Sequence, residues 1–217
     1  MRLIKVVVLM AVVVLSLQTR LFALPHVEVG DAGDLPGAAQ VVAGAGALDS
    51  ISGDALGPGD KSDMYAIFIA GGGTFSATTV GGAAFDTQLF LFDATGMGVY
   101  ANDDNNGVQS TLPAVHPLTP VAAGLYYLGI TAYDNDPLSP GGLIFPSVPF
   151  SDVFGPTGPG GGLPISGYSD PEDPLGPYTI FLTGAEFVSL AVPEPATLVL
   201  LSSGLIGFVL YGRRKAG

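Results

Sequence analysis

Short apolar stretches, each of strand length, recur along the middle of the chain. They are "MYAIFIA" (Met64 to Ala70), "TFSATTV" (Thr74 to Val80), "TQLFLFD" (Thr87 to Asp93), "GVYA" (Gly98 to Ala101), "GLYYLGITAY" (Gly124 to Tyr133) and "YTIFLTG" (Tyr178 to Gly184). Turn chemistry separates them: Gly71-Gly72-Gly73, Asp93-Ala94-Thr95-Gly96, Asn105-Asn106-Gly107 and Ala122-Ala123-Gly124. Tyr, Phe, Ile and Thr, which suit a pleated and half-buried surface, are frequent in these runs, and no helical periodicity competes with them. The pattern predicts an all-β fold, an antiparallel β-sandwich or jelly roll. In Thr87 to Asp93, Gln88, Phe90 and Phe92 point to one face and Leu89 and Leu91 to the other, so this strand is expected in the middle of its sheet. Tyr126, Leu128 and Ile130 alternate with Tyr127, Gly129 and Thr131, which predicts a strand with one core face.

The two ends of the chain follow other patterns. Arg2 and Lys5 precede an apolar run from Val6 to Leu17, and Ala23 supplies a cleavage point, the layout of a secretory signal peptide over residues 1–23. At the other end, Val192-Pro193-Glu194-Pro195 precedes the uncharged span 196–211 and the basic residues Arg213, Arg214 and Lys215. As a helix that span rises only about 24 Å, against a hydrocarbon core of about 30 Å, which makes a short single transmembrane helix. The basic residues hold its end in the cytoplasm, with the body outside. What remains is divided as a linker, 24–43, and one β-sandwich domain, 44–191. Within the domain, nine Gly and nine Pro fall between Pro140 and Pro177. This composition predicts a long, solvated loop insertion over 140–177, whose deletion costs little stability because loop-closure entropy changes slowly with length.

Charge narrows the chemistry. All 19 acidic residues lie between Glu28 and Glu194, where Lys61 is the single Lys or Arg, an excess of 18 negative charges. Such a field disfavours nucleic acid and anionic surfaces. With no cysteine, disulfides, thiolate zinc sites and a cysteine nucleophile are excluded. The carboxylates must be solvated, hydrogen-bonded by backbone amides, or holding cations. Asp103 and Asp104 follow one strand, Asp134 and Asp136 follow another, and Asp60 and Asp63 flank a third. Calcium takes about six to eight oxygen ligands, so Asp103 and Asp104, with Asp134 or Asp136 as distal ligands, form the candidate calcium site. Asp and Asn also favour turns for their own hydrogen bonding, which accounts for the same positions without an ion.

Four segments, "DKSDMYAIFIAGGGTFSATT", "FDTQLFLFDATGMGVYANDDN", "LYYLGITAYDNDP" and "YTIFLTGA", together resemble the bacterial pre-peptidase C-terminal domain. That resemblance spans roughly Gly44 to Gly184 and implies a non-catalytic β-sandwich accessory module. The tail resembles the PEP-CTERM sorting signal, with Val192, Pro193, Glu194 and Pro195 as its motif. This implies an exosortase as partner and passage through the inner membrane to the cell envelope or beyond.

No G-x-S-x-G elbow, H-E-x-x-H, P-loop or dinucleotide fingerprint is present, and His26 and His116 lie apart from any such pattern. No catalytic residues are assigned. The expected function is a non-catalytic exported envelope or matrix protein associated with exopolysaccharide. The alternative is a secreted carbohydrate-processing hydrolase that pairs Asp103 or Asp104 with Asp134 as acid and base. The absence of Trp, a preferred sugar platform, weighs against it.

Overall fold

The computed structural model describes residues 22–54, 61–105, 107–169 and 176–190. The expected signal peptide, apart from Phe22 and Ala23, and the tail with its span 196–211 lie outside the described residues, as does Asp60. Among the described residues there are fourteen strands and no helix, hence none long and apolar enough to cross a membrane.

Each of the six apolar runs carries a strand. They are β4 (Ser62–Ile69), β5 (Ser76–Thr78), β6 (Thr87–Asp93), β7 (Gly98–Asn102), β9 (Gly124–Ala132) and β14 (Pro177–Glu186). In the first leaf, β4, β9, β6 and β7 run antiparallel in that order, and β6 lies inside the sheet as its two apolar faces require. The second leaf contains β3 (Ala47–Asp54), β14, β5 and β8 (Thr111–Leu112). Strand β14 belongs to both leaves. One side of it pairs with β3 in both halves, with a register shift between Phe181 and Ala185, while on the other side Phe181, Leu182 and Thr183 pair with β5 and Ala185 and Glu186 with Ile69 and Phe68 of β4. Gly184 makes this corner at φ +66°, a conformation that a side chain would strain.

Side-chain alternation sends one set of residues between the leaves. Leu89 and Leu91 of β6, Leu128 and Ile130 of β9, and Tyr65, Ile67 and Ile69 of β4 meet Ile51, Ile180 and Leu182 of the second leaf in one buried cluster. The opposite face of the first leaf is covered as well. Met64, Phe90, Phe92 and Ala101 pack there with Ile144, Phe145 and Ile165, all buried.

Those last three residues come from the Gly/Pro-rich insertion, so the expectation of a solvated loop is corrected. The segment carries three short strands, β11 (Gly142–Leu143), β12 (Val153–Phe154) and β13 (Gly167–Tyr168), and β10 (Pro137–Ser139) lies just before it. Strands β10, β11 and β13 form a small sheet of their own, and β12 joins the edge of β7 through Val153↔Asn102 and Phe154↔Ala101. Glycine serves close approach here. A Cβ on Gly160 would overlap the carbonyl oxygen of Gly142, and one on Gly161 would overlap that of Pro156. One ring of this cover packs on the sheet, Phe145 stacking on Phe90 at 5.8 Å and meeting Phe92 edge to face at 5.9 Å. The second face of β9, expected to be open, therefore lies under protein.

A second correction concerns 24–43. The stretch read as a linker forms β1 (Leu24–Val27), parallel to β3, and β2 (Gln40–Val41), parallel to β4. The sheet is thus mixed. Ala32 and Val42 are completely buried in the inner cluster, and His26 Nε2 lies 2.8 Å from Gln40 Oε1, tying the two strands together.

Candidate metal centre

Alternation along β6 sets the site. Phe92, Phe90 and Gln88 share the outer face of the first leaf, and one further step of two residues places Asp86 on that face just before the strand. Leu89 pairs with Asn102, so the chain beyond β7 brings Asp103 opposite Gln88 and diagonal to Asp86. One carboxylate oxygen each from Asp86, Asp103 and Asp104 lies within 4.8 Å of the other two.

Asp103 is buried, and Asp86 and Asp104 are half-buried. Asp103 is 7 % exposed, and the Oδ1 atoms of Asp103 and Asp104 are buried without a hydrogen bond among the described residues. Asp103 lines a small cavity with Gln88, Asp136, Ser147 and Phe154. Its burial first, and then the charges of Asp104, Asp86 and Asp136, push the Asp103 carboxyl up to about 7 against an opposing hydrogen bond from Gln88. Gln88 also donates to Asp136 Oδ1 at 3.2 Å and accepts from Thr131 Oγ1 at 3.2 Å. Burial likewise raises the Asp136 carboxyl.

Backbone and side-chain hydrogen bonds hold the group against the insertion. Asp104 N–H donates to Phe150 O at 2.9 Å, and Tyr133 N–H donates to Asp86 O at 3.1 Å. The Tyr133 and Phe150 rings meet edge to face at 5.7 Å. Asn102, 2 % exposed, donates from Nδ2 to Asp104 O and Asp152 O, each at 3.1 Å, and accepts from Thr111 N–H at 2.7 Å.

Of the residues expected to bind calcium, Asp103 and Asp104 come together and Asp136 stands behind them, with Gln88 between. Asp134 does not join them. It is exposed in the turn after β9 at φ +61°, a conformation Asp tolerates, and its carbonyl accepts from Ser169 Oγ at 2.7 Å. Asp86 takes the third place. Its signal was the period of two that already grouped Gln88, Phe90 and Phe92.

A second acidic trio, Glu28, Asp31 and Asp63, also brings three carboxylate oxygens within 4.8 Å of one another. Its members are engaged by the chain. Glu28 accepts from Ala32 N–H at 3.0 Å and from Asp54 N–H at 2.9 Å, Asp31 from Gly33 N–H at 2.8 Å, and Asp63 from Tyr178. Lys61 lines a different cavity, with Asp34, Ser62, Asn135 and Tyr168.

Residues 191–215 match the PEP-CTERM protein-sorting motif. The match covers the tail alone, in the place where the sequence pattern sets the sorting signal. It marks an exported protein with a C-terminal signal for exosortase sorting. No curated protein matches the chain.

Proposed function

We propose that the chain is an exported envelope or matrix protein whose β-sandwich, akin to the pre-peptidase C-terminal domain, acts without catalysis outside the inner membrane, in contact with exopolysaccharide. The observation that carries this reading is the sorting motif at 191–215. In it, Val192 to Pro195 present the processing point and Arg213, Arg214 and Lys215 hold the span at the cytoplasmic side until an exosortase acts. The excess of negative charge on the body favours a hydrated, cation-rich matrix over nucleic acid. The hydrolase alternative draws no support from the acidic group. Asp134 stands outside it, and the cavity beside Asp103 has room for a water but not for a sugar ring.

Intact-mass analysis of protein from a native envelope tests the reading. Loss of the tail beyond Pro193 is expected, with retention when Pro193, Glu194 and Pro195 are all replaced by Ala. Recovery of the chain to Gly217 in all mature protein would overturn exosortase processing. Failure of the processed protein to co-sediment with the native exopolysaccharide would overturn the matrix contact.

A further inference from the structure

We propose that Asp86, Asp103 and Asp104 form a calcium site that clamps the Gly/Pro-rich insertion onto the first leaf. The convergence of three carboxylates within 4.8 Å is one observation. A second, independent one is that the Oδ1 atoms of Asp103 and Asp104 are buried and receive no hydrogen bond among the described residues, although Asp103 is 93 % buried. A buried carboxylate oxygen left without a partner is costly, and a divalent cation meets that cost directly. All the donors are hard oxygens and no cysteine exists in the chain, which selects calcium or magnesium over the softer metals. Calcium fits better than magnesium. Magnesium demands a short, near-octahedral shell, whereas calcium accepts irregular shells completed by water and carbonyls, as suits three carboxylates supplied from the ends of two strands.

The clamp follows from what the ligands are attached to. Asp104 is bonded through its N–H to Phe150 O, and Asp86 through its carbonyl to Tyr133, whose ring meets that of Phe150. Asn102 joins Asp104 to Asp152. An ion that draws the three carboxylates together therefore fixes the docking seam of 150–154. Without the ion, mutual repulsion of the carboxylates works against the same seam. The site does not depend on the sorting reading, and its tests are separate from it.

The purified full chain, freed of metal with a chelator, is titrated with calcium chloride by calorimetry, with magnesium chloride and with sodium chloride of matched ionic strength in parallel. Saturable calcium binding is expected, with a dissociation constant on the order of 10⁻⁴ to 10⁻³ M, the range of extracellular modules. Asp103→Asn and Asp104→Asn should each weaken it about tenfold or more, whereas Asp134→Asn should leave it unchanged. Both variants relieve repulsion in the metal-free protein, so they should fold, as far-ultraviolet circular dichroism will report. If they do not, tyrosine-sensitised terbium luminescence of the unaltered chain decides the same question, with displacement by calcium ahead of magnesium expected and equal displacement by sodium overturning the site. Hydrogen exchange at 150–154 should slow when calcium is added. A calcium response no larger than that of matched sodium chloride, or one unchanged in Asp103→Asn and Asp104→Asn, overturns the site. Binding without slower exchange at the seam overturns the clamp.

Discussion

Tyr178 donates a hydrogen bond of 2.5 Å from its hydroxyl to Asp63 Oδ2, joining the part of β14 that pairs in the second leaf to β4 of the first through the interior. The Tyr65 hydroxyl lies 2.6 Å from that of Tyr178 and donates to it, since the Tyr178 proton is committed to Asp63. Asp63 and Tyr65 are fully buried, so this polar chain spans the apolar core where water cannot replace it.

Replacement of Tyr178 by Phe removes one donor from the buried Asp63 and the acceptor from Tyr65. The expected loss is about 1–3 kcal/mol of unfolding free energy, measured by urea denaturation at neutral pH. Gly53→Ala should act on the same place, because a Cβ there would overlap the Tyr178 hydroxyl. Unchanged midpoints in both variants would show that the chain of hydroxyls carries no stability.

Alkaline pH should unfold the protein. Burial raises the Tyr100, Tyr168 and Tyr178 phenols above their ordinary value, with the Tyr65 and Asp63 groups adding to the effect at Tyr178 and the Asp34 and Asp63 charges at Tyr168. The folded state keeps protons that the unfolded chain releases above about pH 10, so this stability is present below that pH and is lost as pH rises beyond it. Absorbance at 295 nm should show these three of the eight tyrosines ionising only together with loss of structure. Their titration in the folded state near pH 10 would contradict the burial argument.

Deletion of 141–176 should abolish cooperative unfolding. It would uncover Met64, Phe90 and Phe92, whose burial is worth about 1.5–3 kcal/mol each. A milder probe is Gly160→Ala or Gly161→Ala, each expected to cost about 1–3 kcal/mol as backbone is forced apart. Thermal denaturation distinguishes this from the behaviour of a solvated loop, in which all three changes are nearly silent.

Asn102→Ala should loosen the join between β7 and β12. Three hydrogen bonds of 2.7 to 3.1 Å end on this one buried side chain. The expected outcome is faster hydrogen exchange at Val153 and Phe154, with exchange in β9 unchanged. Equal acceleration in both strands would mean that the seam does not open separately.

Strands whose apolar alternation is strong were legible in the sequence. Thr87 to Asp93 states its own central position, since residues of both parities are apolar and both faces are buried. Strand β3 was not legible, because "ALDSISGD" buries Leu48 and Ile51 but fills the positions between with small polar residues. The insertion misled for a different reason. Glycine and proline signal freedom and turns to a local reading, whereas here tight backbone contacts require glycine, a property of the assembled fold. Asp103 and Asp104 were visible as a cluster, but Asp86 joins them only through pairing between strands, and Asp134 was drawn in by proximity along the chain.

Among the described residues β1 stands at a border of the sheet, which bears on how such a protein behaves when many copies crowd one surface. A strand at a border is a template on which a neighbouring chain can continue the sheet. Here the border strand is four residues long, and Pro25 in it has no N–H to offer. At the opposite border β12 has only two residues, with Pro149 and Pro156 close on either side. Among the described residues, both ends of this row of strands are thus poor places for polymerisation, which works against edge-to-edge joining of copies at high local density.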